Sequence, residues 1–326
     1  MFSLLLAFLA VPAHAQDLVN ADTEDGFPFT VALGAKFGDQ VFSACTGSLI
    51  TPQVILTAAH CGGDFDIELV ITAGTAFFGS QVEDAETVGF SDGVLHPDYV
   101  ELSSGVGGSL GENDIGILVL EEPVDWVEPV WIATESLEEI ADGETVTSIG
   151  FGVSNSSGAG SGIKRSADLT IDSVTDTFLI SYSSSNEESA NVCSGDSGGP
   201  QVYRDGYKYI QWAVHSWADQ NCVSQSGSTR VDTVSEWILD QLEDVHGTRD
   251  RCEMWGLYGN DVCDADCDDD PDCTEDLILG DPGFGESGFD DPEGEKRGLC
   301  SSVSAPASSW LWLMMGCALG FRRRSV

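Results

Sequence analysis

The octet CSGDSGGP, Cys193 to Pro200, sets one serine among glycines in a chain of 326 residues. Gly195-Asp196-Ser197-Gly198-Gly199 satisfies the pattern G-x-S-x-G, in which a sharp strand-to-helix turn exposes a nucleophilic serine. The same octet suits a serine carried on a loop between strands. After the serine come Gly198, Gly199 and Pro200 and then a strand-like QVY, where the elbow requires a helix. The elbow also requires its histidine after the serine, so it has only His215 and His246 to draw on.

Outward from the octet, the stretch from about Phe27 to Val231 is a series of short apolar or alternating runs separated by Gly, Ser, Asn and Asp. FTVAL, QVILTA, DIGILVL, TVTSIGFG, DTFLISY and YIQWAVHSW are examples, and such regular spacing predicts an all-β barrel or sandwich. One stretch there has strong helical periodicity. DTVSEWILDQLEDV places Val234, Trp237, Ile238 and Leu242 on one face and predicts a helix that closes the β-domain.

Charge restricts the partners. Lys and Arg number 13 against 55 Asp and Glu, a formal charge of -42, and a field of that sign repels nucleic acid and anionic lipid. MFSLLLAFLAVPAHA, residues 1–15, has an apolar centre followed by Ala13-His14-Ala15 and predicts a signal peptide with Gln16 as the first residue after export. Export into an oxidising compartment makes disulfides the first reading of the 10 cysteines.

Beyond about His246 the composition changes. RCEMWGLYGNDVCDADCDDDPDC, residues 251–273, concentrates Cys252, Cys263, Cys267 and Cys273 in an acidic stretch and predicts a small disulfide-stapled module, with all three connectivities open. Residues 274–299 offer little to bury and predict an acidic, flexible linker. Residues 300–326 begin at Cys300 and contain an uncharged apolar span with Cys317 inside it. The span ends in Arg322-Arg323-Arg324, a pattern that predicts a membrane or sorting tail with its arginines on the cytoplasmic side.

Two further stretches join the octet. ILTAAHC places His60 beside Cys61, and NDIGILVL places Asp114 at the start of an apolar strand. With GDSGGP, CTGSLITPQVILTAAHC and HSW at His215-Ser216-Trp217, these resemble the trypsin-like serine proteases from about Leu18 to Val245. The chain order His60, Asp114, Ser197 matches that family, whereas the elbow enzymes run serine, acid, histidine. The resemblance implies two antiparallel Greek-key β-barrels and a C-terminal helix over residues 18–246. It implies a peptide-bond hydrolase that needs no cofactor for catalysis and acts on protein or peptide substrates.

The roles carried over by the resemblance have a chemical reason. A serine hydroxyl is a poor nucleophile, so His60 takes the Ser197 proton during attack and returns it to the leaving amine, while Asp114 fixes the imidazole tautomer. The backbone amides of Gly195 and Ser197 form the oxyanion hole. By the same resemblance Cys45 pairs with Cys61 and Cys193 with Cys222. A new N-terminus at Leu18, exposed by an activating protease, sends its ammonium to Asp196; the propeptide is then only Gln16-Asp17, and the stretch up to Pro28 is about two residues shorter than the family's.

The substrate pocket maps onto Asn191, Val192, Ser216, Trp217 and Ala218, with Ser226 or Gly227 opposite. Asn191, six positions before Ser197, replaces the aspartate that trypsin uses for Lys and Arg, so an uncharged, small to medium side chain is expected there. GNDVCDADCDDDPDC resembles small disulfide-calcium modules of the Notch kind, which implies Ca²⁺ held by Asp carboxylates; a plain acidic spacer is the other reading. The end of the chain resembles the MYXO-CTERM sorting tail, which implies retention at a bacterial cell surface or outer membrane. A single-pass anchor competes, and so does release. A rival to the protease reading is a catalytically inactive protease-like surface binding or adhesion protein.

Overall fold

Runs such as TVAL and VILT become strands because β-branched side chains pack well on a pleated surface, while the intervening glycines and asparagines supply turns. The computed structural model describes residues 22–63, 67–100, 111–154, 158–182, 190–219, 221–222, 224–267 and 270–273. The predicted signal peptide, Leu18, the linker at 274–299 and the tail with Cys300 and Cys317 lie outside the described residues. Among the described residues no helix is long and apolar enough to cross a membrane.

The strands are β1 (Asp22–Thr23), β2 (Thr30–Phe37), β3 (Gln40–Thr51), β4 (Val54–Thr57), β5 (Thr75–Phe78), β6 (Glu86–Leu95) and β7 (Gly116–Leu120). Then follow β8 (Trp131–Ile132), β9 (Thr145–Gly150), β10 (Arg165–Thr170), β11 (Ser173–Val174), β12 (Phe178–Tyr182), β13 (Pro200–Asp205), β14 (Lys208–Ala218) and β15 (Gln225–Arg230). A closed antiparallel barrel runs β2-β3-β4-β7-β6-β5 and returns to β2. A second, barrel-like sheet runs β1-β10-β9-β13-β14-β15-β12-β11, with β8 added parallel to β14. The architecture is therefore all-β.

One apolar cluster joins the two halves. It includes Leu49, Val54, Ile117 and Leu120 of the first barrel, Ile149, Val202 and Val214 of the second sheet, and Ile238 and Leu242 of helix α3. Helix α1 is Ala59–Gly63, α2 is Ile67–Ala73, α3 is Ser235–His246 and α4 is Arg251–Met254. In α3 the anticipated stripe is buried at Ile238 and Leu242, and the half-buried Trp237 sets its ring 4.8 Å from that of His96. The helix stops where Gly247 takes a left-handed φ of 76° and returns its N–H to Glu243. Helices α1 and α2 add to the one helix anticipated: α2 has 7 residues and buries none of them fully, too short a span for helical periodicity to register.

The cysteine-rich stretch is bonded Cys252–Cys267 and Cys263–Cys273. It packs onto the β-domain. Met254 is buried in the main cluster, the Trp255 indole donates to the Ile50 carbonyl at 3.1 Å, and the Trp255 and Trp131 rings lie 5.8 Å apart. Asp266 accepts from the Tyr207 hydroxyl at 2.6 Å and from Lys208 Nζ at 3.0 Å. Trp255→Ala should cost about 2–4 kcal/mol and lower the denaturation midpoint of the whole β-domain, read by tryptophan fluorescence in urea. A separate early transition that leaves the main midpoint unmoved would show the module to be energetically independent.

Candidate active site

Asp114 is fully buried on the approach to β7, where it would be costly without partners. Three donors satisfy it. Its Oδ2 accepts from His60 Nδ1 at 2.7 Å and from the Ser216 hydroxyl at 2.6 Å, and its Oδ1 accepts from the His60 amide at 2.9 Å. The two contacts from His60 fix both the backbone and the ring of α1 on one carboxylate. The bond Cys45–Cys61 ties α1 to β3. The His60 side chain keeps 14% of its surface exposed and Asp114 only 1%, so the ring faces the cleft from a buried anchor. His60 also lies near the sulfurs of Cys45 and Cys61, but these are spent on each other and leave no thiolate for a metal.

Ser197 follows a turn in which the Asp196 amide donates to the Cys193 carbonyl at 3.0 Å. The Cys61 Sγ lies 3.6 Å from the Ser197 carbonyl oxygen, which places the serine beside the residue next to His60. β13 begins at Pro200 straight after the turn, so the elbow reading of the octet falls.

The direction of the amides follows from peptide geometry. A trans peptide points its C=O and N–H oppositely. The Ser194 carbonyl accepts from the Val153 amide at 2.9 Å, and the Asp196 carbonyl accepts from the Gly199 amide at 2.9 Å. The Gly195 and Ser197 N–H groups are therefore turned away from those internal partners, and among the described residues neither donates a hydrogen bond. Gly195 has φ +94°, and a Cβ there would come within 2.9 Å of the Gly152 backbone. Only glycine suits that turn.

Thr46 on β3 holds this loop from the other barrel. Its amide donates to the Ser197 carbonyl at 2.8 Å, its hydroxyl donates to the Gly195 carbonyl at 2.8 Å, and the same hydroxyl accepts from the Phe151 amide at 3.1 Å. Sequence reading passed over Thr46. Its only signal was a hydroxyl between Cys45 and Gly47 on a strand that must be buried.

Asp196 is 1% exposed and accepts from the amides of Gly152 and Cys193, each at 2.8 Å. Burial pushes its pKa up to about 7, against the pull of those amides and of the Arg165 charge. Its expected partner, Leu18, falls outside the described residues.

The pocket residues also come together. The bond Cys193–Cys222 joins the nucleophile loop to the segment between β14 and β15, and Val192 belongs to a small apolar cluster with Ala190 and Ala218. Ala218 pairs with Ser226 across β14 and β15. A Cβ on Gly227 would meet the Trp217 ring at 2.3 Å, so Gly227 faces the indole and Ser226 faces the other way. Asn191 is fully buried, and its Oδ1 accepts from the Val192 amide at 3.0 Å.

Two outcomes check this geometry. Thr46→Val keeps the shape but orphans the Phe151 amide and the Gly195 carbonyl, at about 1–3 kcal/mol each; kcat on a peptide substrate should fall more than tenfold with KM little changed, and an unchanged kcat would refute the clamp. In the unprocessed chain, a carboxyl whose folded pKa is raised gives its stability below the unfolded value near 4 and loses it as pH rises toward 7. Asp196→Asn should therefore gain stability relative to the parent between pH 4 and pH 7 in urea titrations, and a constant difference would contradict the assignment.

Comparison with known proteins agrees with the geometry. The family model described as Trypsin matches residues 19–238. The chain is similar to a lectizyme of Glossina austeni, 28% identical over 66% of this chain and 82% of that protein. It is similar to a trypsin of Saccharopolyspora erythraea, 28% identical over 61% and 85% respectively, and to a chymotrypsin of Phaedon cochleariae, 29% identical over 66% and 78%. With two antiparallel barrel-like sheets, a buried Asp114 bonded to His60, and Ser197 on the loop they flank, the chain belongs to the trypsin family.

Proposed function

We propose that the protein is an exported serine endopeptidase that hydrolyses peptide bonds through Ser197, His60 and Asp114. The observation that carries this reading is the shared Asp114 carboxylate, which orients His60 and binds Ser216, beside two outward amides at Gly195 and Ser197. In the forward step the Ser197 oxygen bonds to the substrate carbonyl carbon and its proton passes to His60. Negative charge gathers on the carbonyl oxygen, where the Gly195 and Ser197 amides stabilise it. His60 then gives the proton to the leaving amine, and water repeats the sequence on the acyl-enzyme. Asp114 holds the imidazole in place throughout, and Asp114→Asn should lower kcat by about 10⁴.

Activation belongs to the same proposal. An activating protease cuts before Leu18, and the new ammonium enters beside Asp196, where it relieves a buried carboxyl that burial now disfavours. The residue before the scissile bond is uncharged rather than Lys or Arg, because Asn191 supplies no negative charge. Residues 300–326 hold the enzyme at the surface of a bacterial cell, with or without processing at Cys300. Ca²⁺ in the acidic module rests on its density of Asp side chains, although Asp270 already accepts from the Asp264 and Asp272 amides.

Labelling with a fluorophosphonate, followed by peptide mapping, tests the central reading. Chain with Leu18 exposed should label at Ser197, and Ser197→Ala should not. Absence of labelling after N-terminal processing would leave the inactive binding protein as the better account.

A further inference from the structure

Protein interiors are close-packed, and voids much larger than a water molecule are rare. The first barrel departs from this. A cavity of about 250 Å³ extends from its core, where Leu33, Phe90, Ile117 and Leu118 are each no more than 5% exposed, to the surface beside α2. The bond Cys45–Cys61 forms part of the wall, but none of His60, Asp114, Gly195 and Ser197 lines it, so it is distinct from the catalytic constellation.

The sequence around the opening is apolar where solvent would favour polar groups. Helix α2, IELVITA, buries none of its residues fully. Ile67 and Val70, three apart, share the face turned to the cavity, and Leu69 stands at the rim with 56% of its surface exposed. Across the opening, the hairpin of β2 and β3 leaves Phe37 61% and Phe42 55% exposed, with their rings 6.3 Å apart. Contiguous exposed apolar groups of this kind mark binding sites. The space is not one that α2 could fill by moving inward. A Cβ on Gly62 would meet Ile67 Cδ1 and Leu95 Cδ2, each at 2.9 Å, and a Cβ on Gly74 would meet the Phe90 ring at 3.1 Å, so the helix is already seated at both ends.

We infer that this cavity binds one small uncharged amphiphile by its hydrocarbon chain, with the polar end left in water at the rim of Phe37, Phe42 and Leu69. The inference stands apart from the endopeptidase reading. No charged side chain lines the walls, and the one side-chain hydroxyl among them, that of Thr57, is donated to the Thr46 carbonyl at 2.8 Å. Water needs several polar partners to occupy such a space, whereas apolar cavities of only ~150 Å³ stay dry and take up benzene. A hydrocarbon chain would restore the contacts that the lining side chains now lack. An anionic head group is opposed by the chain's formal charge of -42, and a cationic one finds no carboxylate in the lining. A peptide segment would bring backbone groups that the lining side chains cannot pair.

The test titrates full-length chain with 1-octanol and, separately, with 1,8-octanediol in a calorimeter. The expected result is one octanol bound per chain with a negative heat-capacity change, and at least about tenfold weaker binding of the diol, whose second hydroxyl would be buried unpaired. Residues 305–321 are apolar too, so two substitutions locate the ligand. Val70→Trp fills the cavity and should abolish binding. Leu69→Glu, at an exposed position that folding tolerates, should weaken it about tenfold and decides the matter alone if Val70→Trp does not fold. Equal binding of the diol, several octanols per chain, or binding that survives the substitutions in folded protein overturns the inference. So does a dimer that takes up octanol only on dilution, since a second copy would then be what covers the opening.

Discussion

One hydroxyl at the seam between the barrels supports the reactive loop from below. Thr46 belongs to the first barrel, yet its side chain and amide take the carbonyls on either side of Asp196 and its oxygen takes the Phe151 amide of the second half. The outward direction of the Gly195 and Ser197 amides is set by the Ser194 and Asp196 carbonyls, which point to Val153 and Gly199, while Thr46 holds the same loop in place through the carbonyls between and after them. Ser48, two residues on, repeats the crossing with a 2.7 Å bond to Gln211 in a buried setting. Sheet pairing alone would let the two halves slide; these polar contacts set their register because a buried group that loses its partner costs more than the contact gains.

The framework was legible in the sequence to different depths. Alternating runs announced the strands, and the order His60, Asp114, Ser197 separated two mechanisms that a single octet could not. Gly227 and Ser226 were indistinguishable, because adjacent residues on a strand face opposite ways and only the register of β14 against β15 says which way each points. Thr46 escaped for another reason: β3 also carries Ser43, Ser48 and Thr51, so one more hydroxyl has no signature there, and its partners Phe151 and Gly195 lie 105 and 149 residues away. The docking of Trp255 onto Ile50 was hidden in the same way. Its 205-residue separation leaves no local trace.

The charge distribution has a local exception worth weighing against the global one. The chain as a whole is strongly acidic, but the buried acids near Ser197, Asp114 and Asp196, are each absorbed by amides, a hydroxyl or an imidazole. Long-range repulsion acts on the approach of an anionic substrate and is screened by salt, whereas the backbone amides of the nucleophile loop act only at contact. Encounter and contact are thus governed by different parts of the molecule.

The bond from Thr46 to Gly195 spans 149 residues and the contact of the Cys61 sulfur with the Ser197 carbonyl spans 136. Contacts so distant along the chain carry a large closure entropy and form slowly. The outward amides depend on them, so the molecule acquires its cutting edge only when both barrels have met. Until then the serine has no paired donors to receive a developing charge, so a half-folded copy carries the residues of the site without its geometry.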